Sequence, residues 1–275
     1  MTAMEAKTRH ILGLSGGKDS TALAVYMRDK VADMEYVFCD TGKELPETYE
    51  YLKRVEAFLG KPIVYLNADR DFDHWLAMFG NYLPSAKMRW CTRKLKIAPF
   101  EKYVGEGPAY SYIGIRADED RFGYKPSLSP NGGIIPVYPF KEAGLVKADI
   151  HQILEDSGLG FPEYYQWRTR SGCYFCFFQR KIEWVGLLER HPHLFEEAKS
   201  YERPDPESGT LYTWSQQESL AELQAPDRVA KIKANQHDLM EEMKSRKKSK
   251  RLVDIFEETN DLQDDFGEPC MICHL

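Results

Sequence analysis

No run of eighteen apolar residues occurs in this 275-residue chain, so a membrane-spanning helix is not expected. Residues 1–10 carry no apolar stretch of the kind that forms a signal-peptide core, and the implied compartment is the cytosol. An excess of positive charge is also lacking. Lys and Arg number 37 against 43 Asp and Glu, a net charge of −6, so any attraction for nucleic acid must come from a local basic patch. Internal repeats are absent. Cysteine is sparse, at six residues; in a cytosolic chain of this size they read as metal, cluster or redox sites rather than disulfides. What remains, 43% hydrophobic and 29% charged, describes a globular protein able to bury a real core. The length suits one large domain, or one domain with an extension.

The densest signal lies near the start. Ile11 to Leu14 reads as a strand, Ser15-Gly16-Gly17 as a tight turn, and Thr21 to Arg28 as a helix. Glycines after a strand let backbone approach a ligand, and the helix N-terminus behind them offers N–H groups and a positive dipole end. Lys18 adds a charge; Ser15 and Ser20 add hydroxyls. The string forms a phosphate cradle, yet it lacks the common P-loop spacing of four residues before Gly-Lys-Ser/Thr. Tyr36 to Asp40 and Pro62 to Leu66 read as further strands, with a helix at Tyr49 to Leu59 between them. Alternating strands and helices predict an α/β fold: a parallel sheet flanked by helices, with ligands at the carboxyl ends of the strands. Asp40, Thr41 and Gly42 then share the sheet edge with residues 15–20. Taken alone, Asp40 is equally a turn or capping acid.

Farther along, Phe72 to Phe79 reads as a helix with Trp75 and Phe79 on one face. Lys87, Arg89, Arg93, Lys94 and Lys96 crowd one thiol, Cys91, and nearby positive charge favours a thiolate. The plainer alternative is a basic solvated helix. Ser111 to Arg116 reads as a strand whose last residue either holds an anion or pairs with Asp118 or Asp120. Residues 123–136 read as a loop, rich in Gly, Pro, Ser and Asn, and Val137 to Phe140 as a short strand before a helix at Lys147 to Leu154. Gly172-Cys173-Tyr174-Phe175-Cys176 aims two thiolates at one metal, consistent with zinc, a cluster or a redox pair. Ile182 to Glu189 and Leu194 to Tyr201 are amphipathic, and Asp227 to Met243 is a polar helix. A basic run, Lys244 to Arg251, precedes a second Cys-x-x-Cys at Cys270 and Cys273. The expected domains are residues 1–202 and a helical C-terminal extension, 203–275.

Ser-Gly-Gly-Lys-Asp-Ser between strand and helix resembles the pyrophosphate loop of the adenine-nucleotide alpha-hydrolase superfamily. Asp40-Thr41-Gly42 with Pro46-Glu47-Thr48, and Gly114-Ile115-Arg116-Ala117, resemble its phosphoadenylylsulfate (PAPS) reductase branch. The Gly-Cys-x-x-Cys with the earlier Cys91 is similar to cluster-bearing members, above all the ATP pyrophosphatase subunits of DNA phosphorothioation systems. The reductases carry adjacent cysteines where this chain has Cys91-Thr92, and a different tail.

The resemblance implies that Gly16, Gly17, Lys18 and Ser20, with Ser15, hold ATP phosphates, Asp19 helps place Mg2+, and Asp40, Thr41 and Gly42 meet the nucleotide. Lys18, Asp19 and Arg116 are the implied catalytic residues. A [4Fe–4S] cluster, or alternatively Zn2+, would be held by Cys91, Cys173 and Cys176. Cys273, Cys270 or an open iron position would complete it. The implied reaction is adenylation of a nucleic acid, DNA rather than tRNA, for sulfur insertion. A cysteine desulfurase would supply the sulfur, and the other phosphorothioation subunits would act as partners. The alternatives are a sulfonucleotide reductase producing sulfite, a tRNA-thiolating enzyme, and a zinc- and nucleotide-binding module without turnover.

Overall fold

The computed structural model describes residues 8–120, 133–204, 209, 211–215 and 218–247. The chain divides into two compact units. One comprises residues 1–75 and 90–173 with 271–275, and the other residues 76–89 and 174–270.

The first unit is a parallel α/β layer structure. Strands β1 (Arg9–Leu14), β2 (Met34–Asp40), β3 (Ile63–Asn67), β4 (Ala109–Tyr112) and β5 (Ile134–Val137) form one sheet in the order β3-β2-β1-β4-β5. Every pairing is parallel, and Leu14 lies opposite Phe38, so the ends of β1 and β2 share one edge. Helices α1 (Lys18–Met27) and α2 (Pro46–Leu59) follow β1 and β2. Pro46 opens α2 and Gly60, at φ +65°, closes it in the left-handed conformation that favours glycine. Helices α3 (Phe72–Met78), α4 (Trp90–Thr92) and α5 (Ala98–Val104) come next, with a π-turn at Arg93–Ile97 joining the last two. α6 (Pro139–Glu142) and α7 (Lys147–Asp156) follow β5.

Alternate residues of β1 fall into different cores. Leu12 and Leu14 pack with Leu23, Tyr36, Leu52 and Ile150, whereas Ile11 packs with Val37, Leu66 and Phe100. Both sheet faces are therefore buried, which is why these strands read as apolar runs rather than alternations.

Three expectations are corrected in detail. The strand predicted at Ser111 to Arg116 ends at Tyr112, because the chain leaves the sheet to pass over the first turn of α1. Ile134 to Pro136, expected as loop, belongs to β5, whose place in the parallel sheet outweighs the Gly/Pro-rich composition beside it. Pro139 and Phe140, expected as strand, begin α6, where proline suits the first helical position. Residues 121–132 lie outside the described residues.

The second unit is helical, with α8 (Lys181–Arg190) packed on α9 (Pro192–Ser200), followed by α10 (Leu220–Leu223) and α11 (Pro226–Lys247). Its centre is aromatic: Phe175 stacks on Trp214 at 4.9 Å, Trp184 is fully buried, and the Trp214 indole N–H donates to the Ala198 carbonyl. Glu218 receives Arg228 and Lys181 and ties α8 to α11. The basic run reaches past the end of α11, and the Cys270 and Cys273 tail lies outside the described residues.

The Glu218 pair makes this unit acid-sensitive. Hydrogen bonding from Arg228, then Lys181, lowers the Glu218 carboxyl to about 2. A depressed carboxylate contributes stability fully above its ordinary pKa, and that contribution is lost as pH falls toward the depressed value. Glu218→Gln is therefore expected to cost on the order of 1 kcal/mol at neutral pH. Urea unfolding of both proteins between pH 7 and pH 2.5 should show the difference shrinking with acid.

Candidate nucleotide site at the sheet edge

The loop between β1 and α1 is braced from within. The Ser15 N–H donates to Ser20 Oγ at 3.1 Å, Ser20 Oγ donates to the Gly17 carbonyl at 3.2 Å, and the two serine hydroxyls lie 3.0 Å apart. Ser20 is almost fully buried and shapes the loop from inside. Gly17 is the N-cap of α1 and carries no side-chain cap, so the positive end of the helix is not covered by its own capping residue.

The glycines are explained by what surrounds them. Gly16 has φ +69°, and a Cβ there would stand 2.6 Å from Thr48 Cγ2. A Cβ on Gly17 would meet Ser171 Oγ at 2.7 Å. At Gly114 it would meet the Asp19 carbonyl oxygen at 3.0 Å. Three separate motifs, around Thr48, Gly114 and Ser171, thus close on one loop. Ser171 also donates its hydroxyl to Ser15 Oγ at 3.2 Å.

A 3₁₀ turn at Glu163–Gln166 supplies two residues that the sequence reading passed over. Tyr164 donates its hydroxyl to the Gly16 carbonyl at 2.7 Å, and the Tyr165 hydroxyl accepts the Lys18 N–H at 3.2 Å. Lys18 Nζ lies 5.1 Å from the centre of the Tyr165 ring. Burial raises both phenols above their ordinary pKa, so they act as neutral hydroxyls at physiological pH. The adjacent tyrosines were visible in the sequence, but their spacing alone carries no phosphate signal.

The charges beside the loop form one network. Arg116 Nη1 lies 2.7 Å from Asp19 Oδ1 and 2.7 Å from Glu119 Oε1, and its Nε donates to Asp118 at 2.9 Å. Lys18 Nζ is 3.4 Å from the other Asp19 oxygen. Arg116 pairs with Asp118, as one sequence alternative held. It also pairs with Asp19 and Glu119, which are distant or unremarkable in sequence.

On the β2 side, Asp40 Oδ1 accepts the Gly42 N–H at 2.9 Å and the Tyr49 hydroxyl at 2.7 Å, the turn role weighed for it. Gly42 sits at φ +69°. Thr41 points toward sulfur: its Oγ1 lies 3.2 Å from Cys173 Sγ and donates to Glu44 Oε1 at 3.1 Å. Cys173 Sγ donates to the same Glu44 oxygen at 3.6 Å. Arg168, only 1% exposed, donates to the Gly172 and Cys173 carbonyls at 2.9 and 2.8 Å and so fixes the turn that carries the thiol. Neither Glu44 nor Arg168 was singled out from sequence.

The remaining cysteines separate. Burial raises the Cys39 thiol to about 11, and it donates to the Lys96 carbonyl as a structural residue. Cys91 lies in α4 with its Sγ 4.0 Å from Thr92 Oγ1. Lys94, one of the cations expected around it, lies over the Trp75 ring at 4.3 Å. Cys176 belongs to the second unit. Among the described residues, no group of three or more His, Cys, Asp or Glu stands ready to hold a metal ion. Cys173 and Glu44 stand as a pair of potential donors.

Gly16→Ala is expected to destabilise the protein by about 1–3 kcal/mol, through a left-handed backbone and the Thr48 clash. Adding Thr48→Ser, which removes the clashing methyl, should restore part of the loss and leave the backbone cost. Thermal melts of the single and double variants measure the two contributions.

Residues 9–174 match the model of the phosphoadenosine phosphosulfate reductase domain. An uncharacterised nin region protein of Escherichia phage lambda is 30% identical over 156 residues, 46% of this chain and 52% of that protein. An uncharacterised protein of Methanocaldococcus jannaschii is 25% identical over 194 residues, covering 66% of this chain and 44% of its own length. The chain thus spans about half the length of these curated relatives. Among solved structures, the PAPS reductase of Candida auris shares 15% identity at a TM-score of 0.45, covering 62% of this chain and 84% of that one. The U34-tRNA thiolase of Methanococcus maripaludis, solved with its [4Fe–4S] cluster, shares 12% at 0.40, covering 72% of each chain. No helix among the described residues is long and apolar enough to cross a membrane. With the match running from β1 through the Gly172-Cys173 turn, this chain belongs to the phosphoadenosine phosphosulfate reductase domain family.

Proposed function

We propose that the protein is an ATP pyrophosphatase that adenylates a nucleic acid, most plausibly a DNA backbone phosphate, for sulfur insertion. The observation that carries this reading is the α1 N-terminus. Gly17 leaves it without a side-chain cap, Lys18 lies beside it, and Arg116 and Asp19 flank it. Such a terminus suits a polyphosphate, which has several oxygens for N–H groups and cations to share.

In this reading Gly16, Gly17 and Lys18 hold the β and γ phosphates, and Ser15 and Ser20 keep the loop in shape. Asp40 and Gly42 form the turn that faces the nucleoside. A substrate oxygen attacks the α-phosphorus, the bond to the β-phosphate oxygen breaks, and pyrophosphate leaves with the negative charge that Lys18 and Arg116 stabilise. Sulfide from a cysteine desulfurase partner then attacks the adenylated phosphorus and displaces AMP. Mg2+ would be held at Asp19, whose carboxylate already lies between two cations and is suited to sharing charge with a bound nucleotide. The [4Fe–4S] cluster would use Cys91 and Cys173, with Cys176 following in the chain, and would supply an iron on which sulfide can be held. The donor chemistry fits at Cys173, where a thiol meets a buried carboxylate with an unpartnered oxygen.

A second reading, a sulfonucleotide reductase, draws support from the family match. The single Cys91 favours the pyrophosphatase. The two differ in product. Anaerobically purified protein with Mg2+, ATP and duplex DNA is expected to yield AMP and pyrophosphate. Lys18→Ala should lower that rate by about 10²–10³-fold without changing the circular dichroism spectrum. Intact ATP under those conditions, with sulfite formed from a sulfonucleotide and a reductant, would replace this reading with the reductase.

A further inference from the structure

We propose that Glu44 is an oxygen ligand of the metal centre to which Cys173 contributes sulfur. The proposal rests on the cluster reading above and gives the remaining coordination position to a residue of the folded core rather than to the Cys270–Cys273 tail.

Glu44 is only 6% exposed, although it is a carboxylate. A buried carboxylate needs compensation for the water it has lost. One oxygen, Oε1, accepts from Thr41 and Cys173. The other, Oε2, is buried and has no hydrogen-bond partner among the described residues. Two neutral donors on one oxygen are weak compensation for a buried acid, and a cation at the thiol would supply the rest.

The separation fits that arrangement. Thiolate sulfur and carboxylate oxygen bind zinc-like tetrahedral centres at about 2.3 and 2.1 Å, which at the tetrahedral angle puts the two donors about 3.6 Å apart. Sγ of Cys173 and Oε1 of Glu44 stand at 3.6 Å. On metal binding, the thiol proton that now lies between them leaves and the metal takes its place. Arg168 holds the backbone of Gly172 and Cys173 from the interior, so the thiol is presented on a fixed turn.

The chemistry also suits the proposed task. A hard carboxylate oxygen is a poorer partner than sulfur for a thiolate-bound iron. An iron ligated by Glu44 would remain exchangeable, and incoming hydrosulfide could displace the carboxylate without any change of oxidation state. Thr41 would then stabilise the released carboxylate through its existing hydrogen bond.

The test uses the full chain, purified anaerobically and reconstituted with iron and sulfide. The Mössbauer spectrum of wild-type protein is expected to show one iron subsite distinct from the sulfur-ligated ones. Removing an anionic ligand makes reduction easier, so Glu44→Gln should raise the cluster's reduction potential and change its EPR signature. Glu44→Asp, which keeps the carboxylate, should return both toward wild type. Cys270→Ser with Cys273→Ser should leave both unchanged. A wild-type spectrum of uniformly sulfur-ligated irons would overturn the assignment without recourse to any variant. So would a Glu44→Gln protein with the wild-type potential and signature; in either case the cluster reading survives. Wild-type protein that takes up no iron and sulfide would overturn the cluster reading and this assignment together.

Discussion

The close approach of backbone at three glycines sets the geometry on which the site depends. Gly16 lies against Thr48, Gly17 against Ser171, and Gly114 against the carbonyl of Asp19. A methyl group at any of them would have to displace a neighbour or force a contact shorter than ordinary packing permits. Because none is present, the start of α2, the segment after β4 and the turn before Cys173 all reach the same loop. The parallel sheet contributes the frame: β1 lies between β2 and β4, so the segments leaving all three emerge side by side. The phosphate cradle and the thiol turn are therefore parts of one packed corner, linked by the Ser15–Ser171 hydroxyl contact.

Charge is arranged around that corner in two ways. Near the surface, Arg116 gathers Asp19, Asp118 and Glu119, a network whose members can redistribute when a polyphosphate adds its own negative charge. Deeper in, Arg168 and Glu44 are both buried, and each has a polar atom with no partner among the described residues. Arg168 is used on backbone carbonyls, a positioning task for a rigid fork of donors. Glu44 is used on a hydroxyl and a thiol. The first network suits transient anion binding; the buried pair suits a site that is built once and held.

Much of this was legible beforehand, and for identifiable reasons. Apolar runs broken by glycine at regular spacing identified β1, β2 and β3, since strands buried on both faces need continuous hydrophobicity. The Ser15–Ser20 loop was legible because its demands are local: a turn, a helix start and a lysine. The ends of elements were less so. Ile113 and the residues after it read as strand because isoleucine favours strands, yet the chain turns away to cover α1. The Pro139–Glu142 helix was read as strand because a single turn has too few residues for a helical period.

The amino-acid sequence by itself determined the class of fold, the phosphate-binding loop and the set of cysteines worth considering, because each is a property of neighbours along the chain. The partners of those residues were decided only by the tertiary structure. Asp19 meets Arg116 across 97 positions, Thr41 meets Cys173 across 132, and Tyr164 meets Gly16 across 148. Periodicity and short motifs carry no information over such separations. The sheet order and the packing of side chains around the glycines do, since they fix which strand ends adjoin and how closely their backbones approach.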